Sequence, residues 1–163
     1  MNYQLKNDDL SVELTTKGGA LTSIRDMSGR EYLWQGDPKY WSGQAPVLFP
    51  ICGSLREDRA VTEDGKPVYM PRHGMVRKEE FRLESVSKDS ICFSIGENES
   101  MLARYPYKFR LFLTYLLKGK NIQVTYGILN EGTVAMPFFI GGHPAFNCPL
   151  DRGEEYSDYL IVF

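Results

Sequence analysis

Residues 108–131 read KFRLFLTYLLKGKNIQVTYGILNE, and their pattern decides the fold class. Over 108–118, Phe109, Leu111, Leu113, Tyr115 and Leu117 alternate with Arg110, Phe112, Thr114 and Leu116. Over 121–131, Ile122, Val124, Tyr126 and Ile128 repeat the pattern. Successive side chains of a strand point to opposite faces, so a period of two marks strands with one face on a core. Gly119-Lys120 supplies a two-residue turn between them. The stretch predicts a long hairpin at the centre of an antiparallel sheet.

Upstream the same cadence recurs. Residues 3–6 and 10–15 alternate around Asn7-Asp8-Asp9, and Gly18-Gly19 breaks the chain before a strand over 20–26. Ser28-Gly29-Arg30 is a turn ahead of a further strand, Glu31-Tyr32-Leu33-Trp34. Asp64-Gly65 between 59–63 and 66–70 predicts a type I′ hairpin. Residues 80–87 and 90–96 pair around Lys88-Asp89, and 99–104 hold one helical turn. Residues 134–140 lead into a second glycine pair, and 159–163 read as a terminal strand. Short strands with frequent turns predict an all-β protein. Residues 36–58 differ: Gly36, Pro38, Gly43, Pro46, Pro50 and Gly53 interrupt Tyr40, Trp41 and the apolar run 47–52. Such an ordered loop either carries binding residues or crosses between two sheets.

A chain of 163 residues suffices for one domain with a core. Net charge is −2 and the basic residues are scattered, so bulk electrostatics recruits neither nucleic acid nor an anionic membrane. Three cysteines without a CxxC indicate neither a disulfide framework nor a zinc knuckle, and two histidines make a structural metal site improbable. The N-terminus has no apolar h-region, and no apolar run approaches the roughly 18 residues of a spanning helix. A reduced, cytoplasmic setting is expected.

The candidate chemistry lies in FFIGGHPAFNCP, residues 138–149. Gly141 and Gly142 permit close backbone approach, Pro144 biases His143 away from helix, and Phe138, Phe139 and Phe146 offer apolar walls. A histidine on a rigid turn suits acid/base work near neutrality. It equally suits a structural histidine in a tight turn. The other histidine, His73, also sits between Pro and Gly, in Pro71-Arg72-His73-Gly74-Met75-Val76-Arg77.

Three motifs in order, Pro46-Val47-Leu48-Phe49-Pro50-Ile51-Cys52-Gly53, the His73-to-Arg77 segment, and Gly142-His143-Pro144-Ala145-Phe146-Asn147, resemble the aldose 1-epimerase (galactose mutarotase) family, in its LacX-like branch. The resemblance runs over essentially the whole chain. It implies an antiparallel β-sandwich whose sheet face forms an open sugar cleft, with residues 1–163 as the N-terminal part of one such domain. By resemblance His143 is the general acid that protonates the sugar ring oxygen, and His73 hydrogen-bonds and orients the sugar. Arg77 supports His73 or reaches a hydroxyl, while Phe146 and Asn147 line the cleft.

This sequence departs from the family pattern at two points. Many relatives carry Arg directly after the position of Gly53; here Ser54 stands there and Arg56 follows two residues on. The family's catalytic base is a Glu near the end of a longer chain, and a sugar-binding Asp also lies beyond this point. Glu154 and Glu155 do not stand in that motif. Mutarotation needs one acid and one base on opposite sides of the ring and no cofactor or metal. The 163 residues alone are therefore expected to be a poor enzyme.

Two other readings stay open. One is a non-catalytic carbohydrate-binding protein or relic. The other is a sugar-phosphate epimerase using Arg56, Arg59, Arg72 and Arg77, since guanidinium matches phosphate. Trp34 and Trp41 either stack on a sugar or pack in the core, and Cys52 and Cys148 read as small apolar fillers.

Overall fold

A computed structural model describes residues 1–162 of the chain. Strands β1 (Asn2–Lys6), β2 (Leu10–Thr15) and β3 (Leu21–Asp26) form one sheet in that order. The short β4 (Val47–Leu48) precedes the hairpin β5 (Arg59–Val61) and β6 (Pro67–Tyr69). Then β7 (Arg82–Val86), β8 (Ser90–Gly96), β9 (Phe109–Lys118) and β10 (Asn121–Asn130) form a second sheet, ordered β10-β9-β8-β7. The last strand, β11 (Gly141–Gly142), pairs with β4. Every one of these strand pairings is antiparallel. One turn of helix, α1 (Glu99–Leu102), is capped by Asn98, whose side chain accepts the Met101 N–H at 2.9 Å. Among the described residues no helix is long and apolar enough to cross a membrane.

The hairpin of β9 and β10 forms as its alternation predicts, in register from Asn121–Lys118 to Asn130–Phe109. Gly119 takes φ +55° at the first turn position. All five alternating apolar residues of β9 are buried, with Ile91, Phe93 and Ile95 of β8 beside them. They meet Leu5, Leu10, Val12 and Leu14 of the first sheet in one core. Tyr3 contacts Phe93 across the sheets at 5.7 Å between ring centres, and the Tyr115 hydroxyl donates to the Gly19 carbonyl at 2.7 Å. Each fully buried side chain of this kind contributes roughly 1.5–3 kcal/mol.

Four expectations need correction. Residues 31–34 form no named strand; isolated bridges join Glu31 to Arg25 and Leu33 to Phe146. The cause is the Glu31 carboxylate, which turns back and accepts the N–H groups of Ile24 (2.8 Å) and Leu33 (3.0 Å), displacing backbone acceptors. The turn at Asp64-Gly65 is not type I′, since Gly65 alone there has positive φ (+79°). Gly65 N–H bonds Thr62 O, and Thr62 N–H bonds Lys66 O, both at 2.9 Å, as in a type I turn closed by a glycine bulge. Residues 159–162 form no strand, and Phe163 lies outside the described residues. Finally, Cys52 and Cys148 are exposed thiols, not fillers.

The segment that positions the site is residues 44–50. Ala145 N–H bonds Gln44 O (2.9 Å), His143 N–H bonds Pro46 O (3.1 Å) and Phe139 N–H bonds Pro50 O (2.9 Å). Gly142 faces Val47 and Gly141 faces Leu48 in the same register. Residues 44–50 and 139–145 are thus one continuous antiparallel pair. It is named a strand only at its centre because Pro46 and Pro50 have no N–H to return. On its other edge Phe49 bridges Gly74 in parallel, and its carbonyl accepts Met75 N–H at 2.9 Å. The three motifs therefore lie side by side, with the proline-bounded segment in the middle.

Candidate active site

This layering brings both histidines to one place. Their ring centres are 5.9 Å apart and their planes cross at 67°. His143 is exposed and His73 half-buried.

His73 is held by residue 53 twice. Its N–H bonds Gly53 O at 2.7 Å, and Gly53 N–H bonds its Nδ1 at 3.0 Å. The backbone there is left-handed, φ +67°, a conformation His tolerates at some cost. Gly74 follows at φ +77°, and a Cβ on it would fall 2.0 Å from Phe49 O. Only glycine fits there.

The bond from Gly53 also sets the tautomer. A backbone N–H can only donate, so Nδ1 is bare and the neutral ring carries its proton on Nε2. The Arg72 Nε–H is also directed at Nε2, at 3.2 Å, but a neutral imidazole has one bare nitrogen; the Gly53 donor is fixed backbone whereas the Arg72 side chain is exposed and free to turn, so the backbone bond decides the tautomer. Burial lowers the His73 pKa below its usual value, and Arg72, Arg77 and His143 lower it further. His73 presents a neutral N–H donor.

His143 is held differently. Its backbone is pinned to Pro46, but neither ring nitrogen bonds another described residue. The indole of Trp41 lies 5.1 Å from its ring centre at 48°. Two glycines before it have packing reasons: a Cβ on Gly142 would stand 2.6 Å from Tyr126 Oη, and one on Gly141 would stand 2.9 Å from Cys52 Sγ.

The other expected residues are spread more widely. Arg77 sits in a 3₁₀ turn, Val76–Lys78, half-buried and near enough to act on His73. It also lines a polar hollow of about 590 Å³ with Glu13, Lys17, Gln35 and Gln44. Arg56 is exposed in the turn Arg56–Asp58 and is not among the charges acting on His73. Phe146 is 56% exposed and borders two apolar hollows with Tyr32 and Pro144, rather than walling His143. Asn147 uses its amide to tie residues 31–34, donating to Glu31 O (2.9 Å) and Leu33 O (3.2 Å). Trp41 and Tyr126 enter the site from outside the motifs; Tyr126 is signalled only by its inward place in the alternation of β10. Among the described residues no three His, Cys, Asp or Glu side chains are grouped to hold a metal ion.

The family model for aldose 1-epimerase matches residues 1–159. The chain belongs to the aldose 1-epimerase family. Within this family it is 53% identical to the chromosomal protein LacX of Lactococcus lactis subsp. lactis, over all of this chain and 56% of that one. A galactose mutarotase related enzyme from Lactobacillus acidophilus superposes with TM-score 0.90 at 35% identity, over 95% of this chain and 52% of the other. A galactose mutarotase-like protein from Lactobacillus casei gives 0.88 at 29%, over 93% and 52%. The fold is therefore galactose mutarotase-like, and the chain spans about half the length of these family members.

Proposed function

We propose that residues 1–163 are the N-terminal part of a galactose mutarotase-like domain, contributing the acid half of a site that interconverts the α and β anomers of a free aldose. The observation that supports this best is the meeting of His73 and His143 at 5.9 Å in a chain of the aldose 1-epimerase family. In this reading His143, whose ring nitrogens bond no other described residue, gives its proton to the sugar ring oxygen as the C1–O5 bond breaks. His73 donates from Nε2–H to a sugar oxygen and stays neutral. A carboxylate base takes the C1 hydroxyl proton, the C1 aldehyde rotates about C1–C2, and reclosure reverses both transfers. That base belongs to the length of the relatives this chain does not span, so the 163 residues alone bind weakly and turn over poorly. Arg77 acts on His73 by its charge, Asn147 supports the site by tying residues 31–34, and Phe146 lines the neighbouring apolar hollows.

A second reading has its own support. Arg72 and Arg77, both acting on His73, pair with no carboxylate among the described residues, whereas Arg25, Arg30, Arg59, Arg82 and Arg110 each do; Arg56, Arg104 and Arg152 are also unpaired there but are not among the charges acting on His73. Unpaired guanidiniums beside a sugar site suit a phosphorylated sugar. Polarimetry of the full-length protein on free aldoses and on hexose 6-phosphates tests both. Faster mutarotation of free sugars supports the first reading, and of the phosphates alone the second. Sugar binding without acceleration would leave a non-catalytic binder and overturn both.

A further inference from the structure

We infer that Trp41 is the positioning residue for His143, which rests on the reading that His143 serves a sugar. The ring nitrogens of His143 make no hydrogen bond to another described residue, and its aromatic neighbours are His73 at 5.9 Å and Trp41 at 5.1 Å. The backbone of Trp41 is tied down, and the residue is 36% exposed. Its N–H bonds Asp37 O at 2.9 Å, and its carbonyl accepts Trp34 Nε1–H at 2.7 Å. Its indole lies against Gly43, where a Cβ would come within 2.4 Å of Cζ2. An indole seated on Gly43 and lying against an otherwise unbonded imidazole limits the orientations that ring can take. The glycines and tight turn of residues 36–43 thus serve to carry one indole to the imidazole of His143. Trp34, bonded to the Trp41 carbonyl, is the brace behind it.

The experiment uses the full-length protein, with Trp41→Phe and Trp41→Ala. In the wild type, NMR cross-relaxation between the Trp41 indole protons and the His143 ring protons is expected, independent of any activity. Trp41→Ala is expected to lower kcat about two- to tenfold, the range of a lost aromatic pair, with KM nearly unchanged; Trp41→Phe restores most of the loss. Absence of the cross-peaks in the wild type would overturn the inference. So would an unchanged kcat with a raised KM, which would make Trp41 a sugar platform. Cross-peaks in a protein that accelerates no mutarotation would support the placement of the rings and overturn the catalytic reading instead.

Discussion

At the scale of single residues, the two histidines differ in what holds them. His73 is bound through Nδ1 to a backbone donor, so protonating it breaks the Gly53 bond and adds charge beside Arg72 and Arg77. Its folded pKa is lowered from the ordinary 6.5. Between the two values the unfolded chain holds more protons than the folded one, so His73 makes stability fall as pH drops through and below about 6.5. His73→Asn keeps an acceptor for Gly53 and suits the left-handed backbone. This variant is expected to lose less stability than wild type between about pH 7.5 and 5.5, read from urea midpoints. Equal losses in both proteins would count against the lowered pKa. Both histidines were legible in the sequence because Gly and Pro punctuate them. The inward turn of the Glu31 carboxylate was not, since nothing local marks an acid that replaces backbone acceptors.

At the scale of elements, the parallel contact of residues 49 and 74 is the tightest joint. Gly74→Ala places a methyl 2.0 Å from Phe49 O on a backbone at φ +77°. We expect it to cost more than about 3 kcal/mol in denaturant unfolding, combining strain with displacement of the central segment. Gly29→Ala, at φ +88° with nothing within 4 Å, carries the backbone strain alone and is expected to cost about 1–2 kcal/mol. Similar costs at both positions would remove the steric argument. Strands with strict alternation, β2, β8 and β9, were readable because one face is buried along their length. Residues 44–50 read as a loop because Pro46 and Pro50 hide strand pairing that is nonetheless in register. The pairing becomes visible only when residues 139–145 are laid beside it.

At the scale of the whole molecule, β10 is an edge strand whose inner residues are only partly covered. Apolar hollows of about 540 and 610 Å³ flank Phe146, lined by Leu10, Ile24 and Val124 on one side and Leu150, Leu160 and Ile161 on the other. Leu160, Ile161 and Val162 are more than half exposed, at 79%, 75% and 82%. Uncovered apolar surface and a free edge favour association. A longer protein carrying the rest of the relatives' length is therefore expected to melt higher and stay soluble at higher concentration than residues 1–163 alone. Equal melting of the two would show that these surfaces need no cover.

The most direct test is the rate of exchange between the anomeric protons of a free aldose, followed by NMR with the full-length protein and its His143→Ala variant. Wild type is predicted to speed the exchange, and the variant to be slower by about 10²–10⁴-fold, the usual cost of a lost acid. Exchange by His143→Ala as fast as by wild type would contradict the role given to the paired imidazoles.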